Sequence, residues 1–109
     1  MELDYRIPYI RDNYGQTYPD WKNILNGDIN TGEGIYGIKF IEELIYIGTS
    51  YKIRNRIKKH FFSKHKELSN FLLDNYKFIS IVILFDSKSF TKEREFIKLH
   101  NPKFNRDKR

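Results

Sequence analysis

At 109 residues the chain is long enough for one modest hydrophobic core and too short for two. Without cysteine it can hold neither a disulfide nor a thiolate metal site, and no apolar run approaches the roughly 20 residues that span a bilayer. Its net charge of +6 is uneven: residues 1–33 set Arg6, Arg11 and Lys22 against six carboxylates, a net of −3, so 34–109 carries +9, the footprint of a polyanion binder.

The opening residues, MELDYRIPYI, lack a basic stretch followed by an apolar one. No secretory signal is therefore expected, and the chain should be soluble and cytoplasmic. Residues 1–33 read as irregular, broken by Pro8, Gly15, Pro19, Gly27 and Gly32, with one short helix over 19–25. The expectation is an N-terminal arm, 1–33, packed on a domain that spans 34–109.

The stretch GIYGIKFIEELIYIG (34–48) reads as a β-hairpin with strands over 34–41 and 44–48. A two-residue turn at Glu42-Glu43 would demand positive φ from glutamate, so a three- or five-residue loop centred on Glu42 is expected. That loop pairs Phe40 with Leu44 and Ile38 with Tyr46, which sets Tyr36 and Tyr46 on one face.

Thr49 and Ser50 can cap a helix over 51–63, with an apolar stripe of Ile53, Ile57 and Phe61. Beside it runs a second stripe of Lys52, Arg56, His60 and Lys64. A helix over 65–75 buries Leu68, Phe71 and Leu72, and the apolar run 76–85 reads as a buried central strand. The last helix, 89–100, is stopped by Asn101-Pro102. The fold class is α/β (α+β): a small three-stranded mixed or antiparallel sheet flanked by helices.

On the last helix Glu93 shares the inward face with Phe90, Phe96 and Ile97, whereas Glu95 points about 200° away from Glu93. A core-facing carboxylate needs a partner. Two readings stay open: an ion pair with Arg56 or a lysine, and a ligand for a hard cation such as Mg²⁺, which accepts one or two carboxylates plus water and phosphate.

These residues, in this order, resemble the GIY-YIG nuclease superfamily. Gly34-Ile35-Tyr36 and Tyr46-Ile47-Gly48 match its two naming triplets, and Arg56 follows Tyr46 at the spacing of the family's arginine. EREFIKLHNPKFN (93–105) looks like its closing motif, a helical glutamate followed by Pro and Asn. The excinuclease type within the superfamily commonly has a tyrosine where His60 stands. His60, and then His65, look more like the nuclease domain of homing endonucleases.

The resemblance implies hydrolysis of DNA phosphodiester bonds at one active site of Tyr36, Tyr46, Arg56, His60 and Glu93. It implies one Mg²⁺ or Mn²⁺ held by Glu93, in homing or mobile-element style. Restriction and repair nucleases of the superfamily, and a non-catalytic nucleic-acid-binding module, stand as alternatives. The general base is either Tyr36, with Tyr46 and His60 in support, or His60 itself, whose ordinary pKa already suits the task. Lys52, Lys58, Lys59 and Lys64 would meet backbone phosphates. His65 would contact a phosphate or cap a helix. Asn105 would contact DNA or tie the C-terminal segment down. Gly34 and Gly48 sit where a Cβ would crowd the site. The partner is double-stranded DNA, no membrane is involved, and a homodimer would be needed to cut both strands in one visit.

Overall fold

The computed structural model describes residues 4–20, 22–23, 32–62 and 66–105. Within them lie the strands β1 (Asp4–Arg6), β2 (Tyr9–Arg11), β3 (Thr17–Pro19), β4 (Gly34–Phe40), β5 (Glu43–Ser50) and β6 (Ile79–Phe85). Four of these form the central sheet, fully antiparallel, in the order β1-β6-β4-β5, while β2 and β3 pair only with each other. Three helices complete the fold: α1 (Ile53–Phe61), α2 (Lys66–Asn75) and α3 (Phe90–His100).

The sheet has four strands rather than the three expected, because the leader contributes one. Asp4, Tyr5 and Arg6 pair with Val82, Ile81 and Ser80, and Ile7 follows them into the core. Three-residue strands interrupted by Pro8 are too short to register as a periodic pattern. Of the helix expected over 19–25, residues 21, 24 and 25 lie outside the described residues, and 22–23 form a turn in which Asn23 N donates to Asp20 O at 3.2 Å. Pro19, expected in its first turn, instead ends β3.

Isoleucine dominates β4, β5 and β6, where a branched Cβ packs well on a pleated surface. Ile38 pairs with Tyr46 as the hairpin reading requires, but Phe40 pairs with Glu43 and Leu44 with Lys39. A bulge at Ile38/Lys39 absorbs the difference, with Ile45 as the extra residue of β5. The turn is therefore the tight pair Ile41-Glu42, and Ile41 takes a positive φ of 57°. Its amide is held by Phe78 O at 3.0 Å.

On α1 the residues Ile53, Ile57, His60 and Phe61 are buried, at the spacing of one helical face. With Leu72 of α2 they close over Tyr36, Ile38, Tyr46, Ile79 and Ile81 of the sheet. Ser69 Oγ donates to Phe61 O at 2.5 Å and locks α2 to the end of α1. The run 76–85 divides into a 3-10 turn, Tyr76–Phe78, and β6. α3 packs against β5 and is capped by Ser89, whose Oγ accepts from Lys92 N at 3.1 Å. Asn101 closes it in the left-handed conformation, φ 47°, just ahead of Pro102. Phe90, expected on its inward face, is exposed.

Candidate active site

β4 supplies Tyr36 and β5 supplies Tyr46. In the register Tyr36 faces Gly48 and Tyr46 faces Ile38, so the two tyrosines lie diagonally on one face, ring centroids 6.4 Å apart. α1 begins shortly beyond β5 and returns over that face, carrying Arg56 and His60. His60 does not sit in a solvated basic stripe. It lies three residues after Ile57 and seven after Ile53, on the buried side, and is only 7% exposed.

The His60 ring packs edge-on against Tyr46 with centroids 4.8 Å apart and lies 5.8 Å from the Tyr36 centroid. Its Nε2 meets the Tyr36 hydroxyl at 2.6 Å, a short buried hydrogen bond. Burial pushes the Tyr36 phenol well above its ordinary value. Tyr46 and Glu93 push it further, and the charge and hydrogen bonding of Arg56 oppose them. Tyr46 is raised as well, by burial first, again opposed by Arg56 and reinforced by Glu93. Arg56 thus attends both phenols while remaining exposed at the surface.

Glu93 enters from the first turn of α3 and is half-buried. Loss of hydration raises its carboxyl above the ordinary range, and the charge of Lys88 partly restores it. Of the two partners expected for an ion pair, Arg56 or a lysine, the charge that offsets the lost hydration is a lysine's, that of Lys88. Lys88 stands only five residues before Glu93, in the loop that leads into α3, so the sequence reading could have named it among the lysines.

Tyr36, Tyr46, Arg56, His60 and Glu93, drawn from four elements, therefore form one cluster. Among the described residues no group of three or more His, Asp or Glu gathers that could hold a metal ion by itself. The donor set fits a hard cation taking one protein carboxylate, that of Glu93, with water and phosphate oxygens as its other ligands.

The remaining candidates scatter. Lys52 and Lys59 are exposed on or beside α1, Lys58 is half-buried, and Lys64 and His65 lie outside the described residues. Asn105 is 8% exposed and both ends of its amide are engaged: Oδ1 accepts from Ile47 N at 2.7 Å and Nδ2 donates to Ile47 O at 2.9 Å. Of the two roles expected for Asn105, a DNA contact or a tie on the C-terminal segment, these bonds make the tie, to β5. Gly34 and Gly48 both sit at close approaches. A Cβ on Gly34 would strike Phe85 O, and one on Gly48 would strike the Tyr36 phenol.

A family model described as the UvrC-like GIY-YIG domain matches residues 33–106. No curated protein and no solved structure matches the chain. The family match does not support the leaning toward homing endonucleases. That leaning rested on histidines at 60 and 65, and both positions lie inside the matched span. The structure gives a reason why position 60 is a weak discriminator. It calls for a ring that can hydrogen-bond the Tyr36 hydroxyl, which imidazole and phenol can both do. Nucleases of this family generally use a divalent metal, and among the described residues no helix is long and apolar enough to cross a membrane.

Proposed function

Since this chain belongs to the GIY-YIG nucleases in their UvrC-like branch and is on that account a phosphodiester-hydrolysing endonuclease, we propose that it nicks double-stranded DNA in repair, with a Tyr36–His60 pair as its proton acceptor. The observation that carries the reading is the 2.6 Å bond between Tyr36 Oη and His60 Nε2.

A phenol held above its ordinary pKa keeps its proton at neutral pH and cannot serve as a ready-made phenolate base. Protonated, it donates to Nε2 while Arg56 donates to its oxygen, which leaves one lone pair for a water brought in with the substrate, the phenol being 0% exposed without one. As the water oxygen attacks phosphorus, its proton passes to Tyr36 Oη while the Tyr36 proton passes to His60 Nε2. The phenol is never stranded as an anion, and the charge ends on imidazolium, whose ordinary pKa suits the task.

Arg56 is a planar donor at the rim of the same cluster and binds the phosphate as negative charge builds on its oxygens. Glu93 would hold the divalent ion, Mg²⁺ or Mn²⁺, with water and phosphate oxygens as its other ligands. Such an ion supplies Lewis-acid stabilisation to the pentavalent phosphate and the departing alkoxide. Lys52 and Lys59 line the exposed side of the helix that carries Arg56 and hold backbone phosphates irrespective of sequence. One cluster per chain cuts one strand per visit, so the product is a nick unless two copies act together.

Plasmid relaxation tests the reading. The native chain should nick supercoiled DNA in Mg²⁺, and Glu93→Ala should abolish nicking while the fold persists. Tyr36→Phe and His60→Ala should each lower the single-turnover rate by about 100-fold or more. A Tyr36→Phe chain with full rate beside an inactive His60→Ala chain would remove Tyr36 from the relay. DNA binding with no cleavage in either Mg²⁺ or Mn²⁺ would refute the catalytic reading.

A further inference from the structure

Two large rings stand in solvent where the helices of the catalytic cluster begin. Tyr51, just ahead of α1, and Phe90, the first residue of α3, are each 66% exposed and belong to no core. Lys88 joins them: its Nζ lies 3.9 Å from the Tyr51 ring centroid and 5.1 Å from that of Phe90. The Lys88 amide is pinned by Glu33 Oε2 at 2.8 Å, which fixes the loop leading into α3 against the residue preceding β4. Tyr51 is five residues before Arg56, and Phe90 is one turn before Glu93. The charge of Lys88 is already felt at Glu93. An exposed pair of rings around one ammonium, bordering a phosphodiester site, is more than scattered surface apolarity.

We propose that Tyr51, Lys88 and Phe90 form a subsite for one unpaired nucleotide beside the scissile phosphate, its base stacked on an exposed ring and its phosphate met by Lys88. For its place beside a scissile phosphate the subsite rests on the nuclease reading above. Bases within an intact duplex are stacked on one another and offer no face to a protein ring, so the subsite fills only where a base is unpaired or extruded. Every base has a π face, so the selection is for distorted structure and not for sequence. Lysine suits the role because it contributes a point charge without a fixed hydrogen-bond fork, and can turn from ring to phosphate.

The test uses the full chain with chelator present, so that binding is read without cleavage. A duplex carrying 2-aminopurine as a single-base bulge is compared with the fully paired duplex. The bulged DNA should bind about 10-fold tighter, with the 2-aminopurine fluorescence quenched on binding. Tyr51→Leu and Phe90→Leu should reduce that preference toward unity and leave affinity for the paired duplex and thermal stability unchanged. Lys88→Gln should weaken both DNAs and lower the salt slope of binding by about one. Equal affinity of the native chain for the two DNAs overturns the proposal, and so does an undiminished preference in the Tyr51→Leu/Phe90→Leu double variant. Mg²⁺-dependent nicking of a paired plasmid is read in parallel. Nicking without bulge preference sinks the subsite alone, and bulge preference without nicking sinks the nuclease reading alone.

Discussion

A Cβ built on Gly48 would lie 2.5 Å from the Tyr36 hydroxyl and 2.7 Å from its Cζ, with Tyr46 Cε2 at 3.0 Å. Real Cβ atoms do not approach so closely, and the phenol they would displace is 0% exposed and bonded to His60. In Gly48→Ala the Tyr36 ring must therefore shift, which breaks the geometry of the relay. The expected outcome is a single-turnover nicking rate lower by about 100-fold, with a stability loss of only about 1–3 kcal/mol. Stopped nicking assays beside urea denaturation separate the two effects.

At Glu93 the sign of the pKa shift sets a different expectation. Its carboxyl is raised in the folded chain, so the folded state binds the proton more tightly than the unfolded state. Stability then falls as pH rises through the carboxylate range, up to the raised folded value. Glu93→Gln should melt higher than the native chain at pH 7 in chelator, with the difference vanishing at pH values below the unfolded carboxylate pKa. Thermal melts across that range check it; a lower Tm for Glu93→Gln at pH 7 would contradict the burial cost. At this scale the types and order of the candidate residues were legible in the sequence. Their burial was less so. His60 could be read onto either flank of an amphipathic helix, and only the packing of α1 over the sheet fixed which.

Among the elements, β5 is the edge of the sheet beside the site, and its outer backbone groups need partners. The segment after α3 supplies them: Phe104 N donates to Ile45 O at 3.0 Å, and the Asn105 amide takes both backbone groups of Ile47. The middle residue of the YIG triplet is thus clamped between β4 and the C-terminal turn, which fixes the backbone beside Tyr46 and Gly48. Asn105→Ala removes two buried hydrogen bonds and strands both groups of Ile47, at an expected cost of about 2–5 kcal/mol. Asn105→Asp should do no better, because a carboxylate cannot donate to Ile47 O. Chemical denaturation measures the loss. Paired-DNA affinity, read at a temperature where both chains stay folded, should not change, whereas a direct DNA contact would lower it. The helices were readable from their periods and the three long strands, which are buried contiguously and not on one face alone, from their apolar, β-branched runs. The tight Ile41-Glu42 turn was not, because an isoleucine at φ 57° runs against local preference and is sustained by the bulge and by Phe78 O.

Over the whole molecule, the acidic leader and the basic remainder divide the charge, but the sheet does not respect that division. The family match begins at residue 33, yet β1 completes the sheet from before it and Ile7 is only 3% exposed. Farther along the leader, the Thr17 and Tyr76 hydroxyls are hydrogen-bonded at 2.5 Å, and Lys77 Nζ lies 5.1 Å over the Tyr9 ring. Without residues 1–20, the outer edge of β6 would present unpaired backbone groups next to an apolar run, an invitation to pair with another chain. Burial of Ile7 alone contributes about 1.5–3 kcal/mol. The truncated chain should therefore melt roughly 10 °C lower or more and associate with rising concentration, seen by light scattering after gel filtration. The groups proposed for catalysis come from β4, β5, α1 and α3, none of which the truncation removes. Its soluble monomer should accordingly keep its nicking rate per folded molecule. A truncated chain with unchanged Tm would mean that β1 is an accessory laid on a sheet already complete. A folded, monomeric and inactive one would mean that the leader itself reaches the DNA.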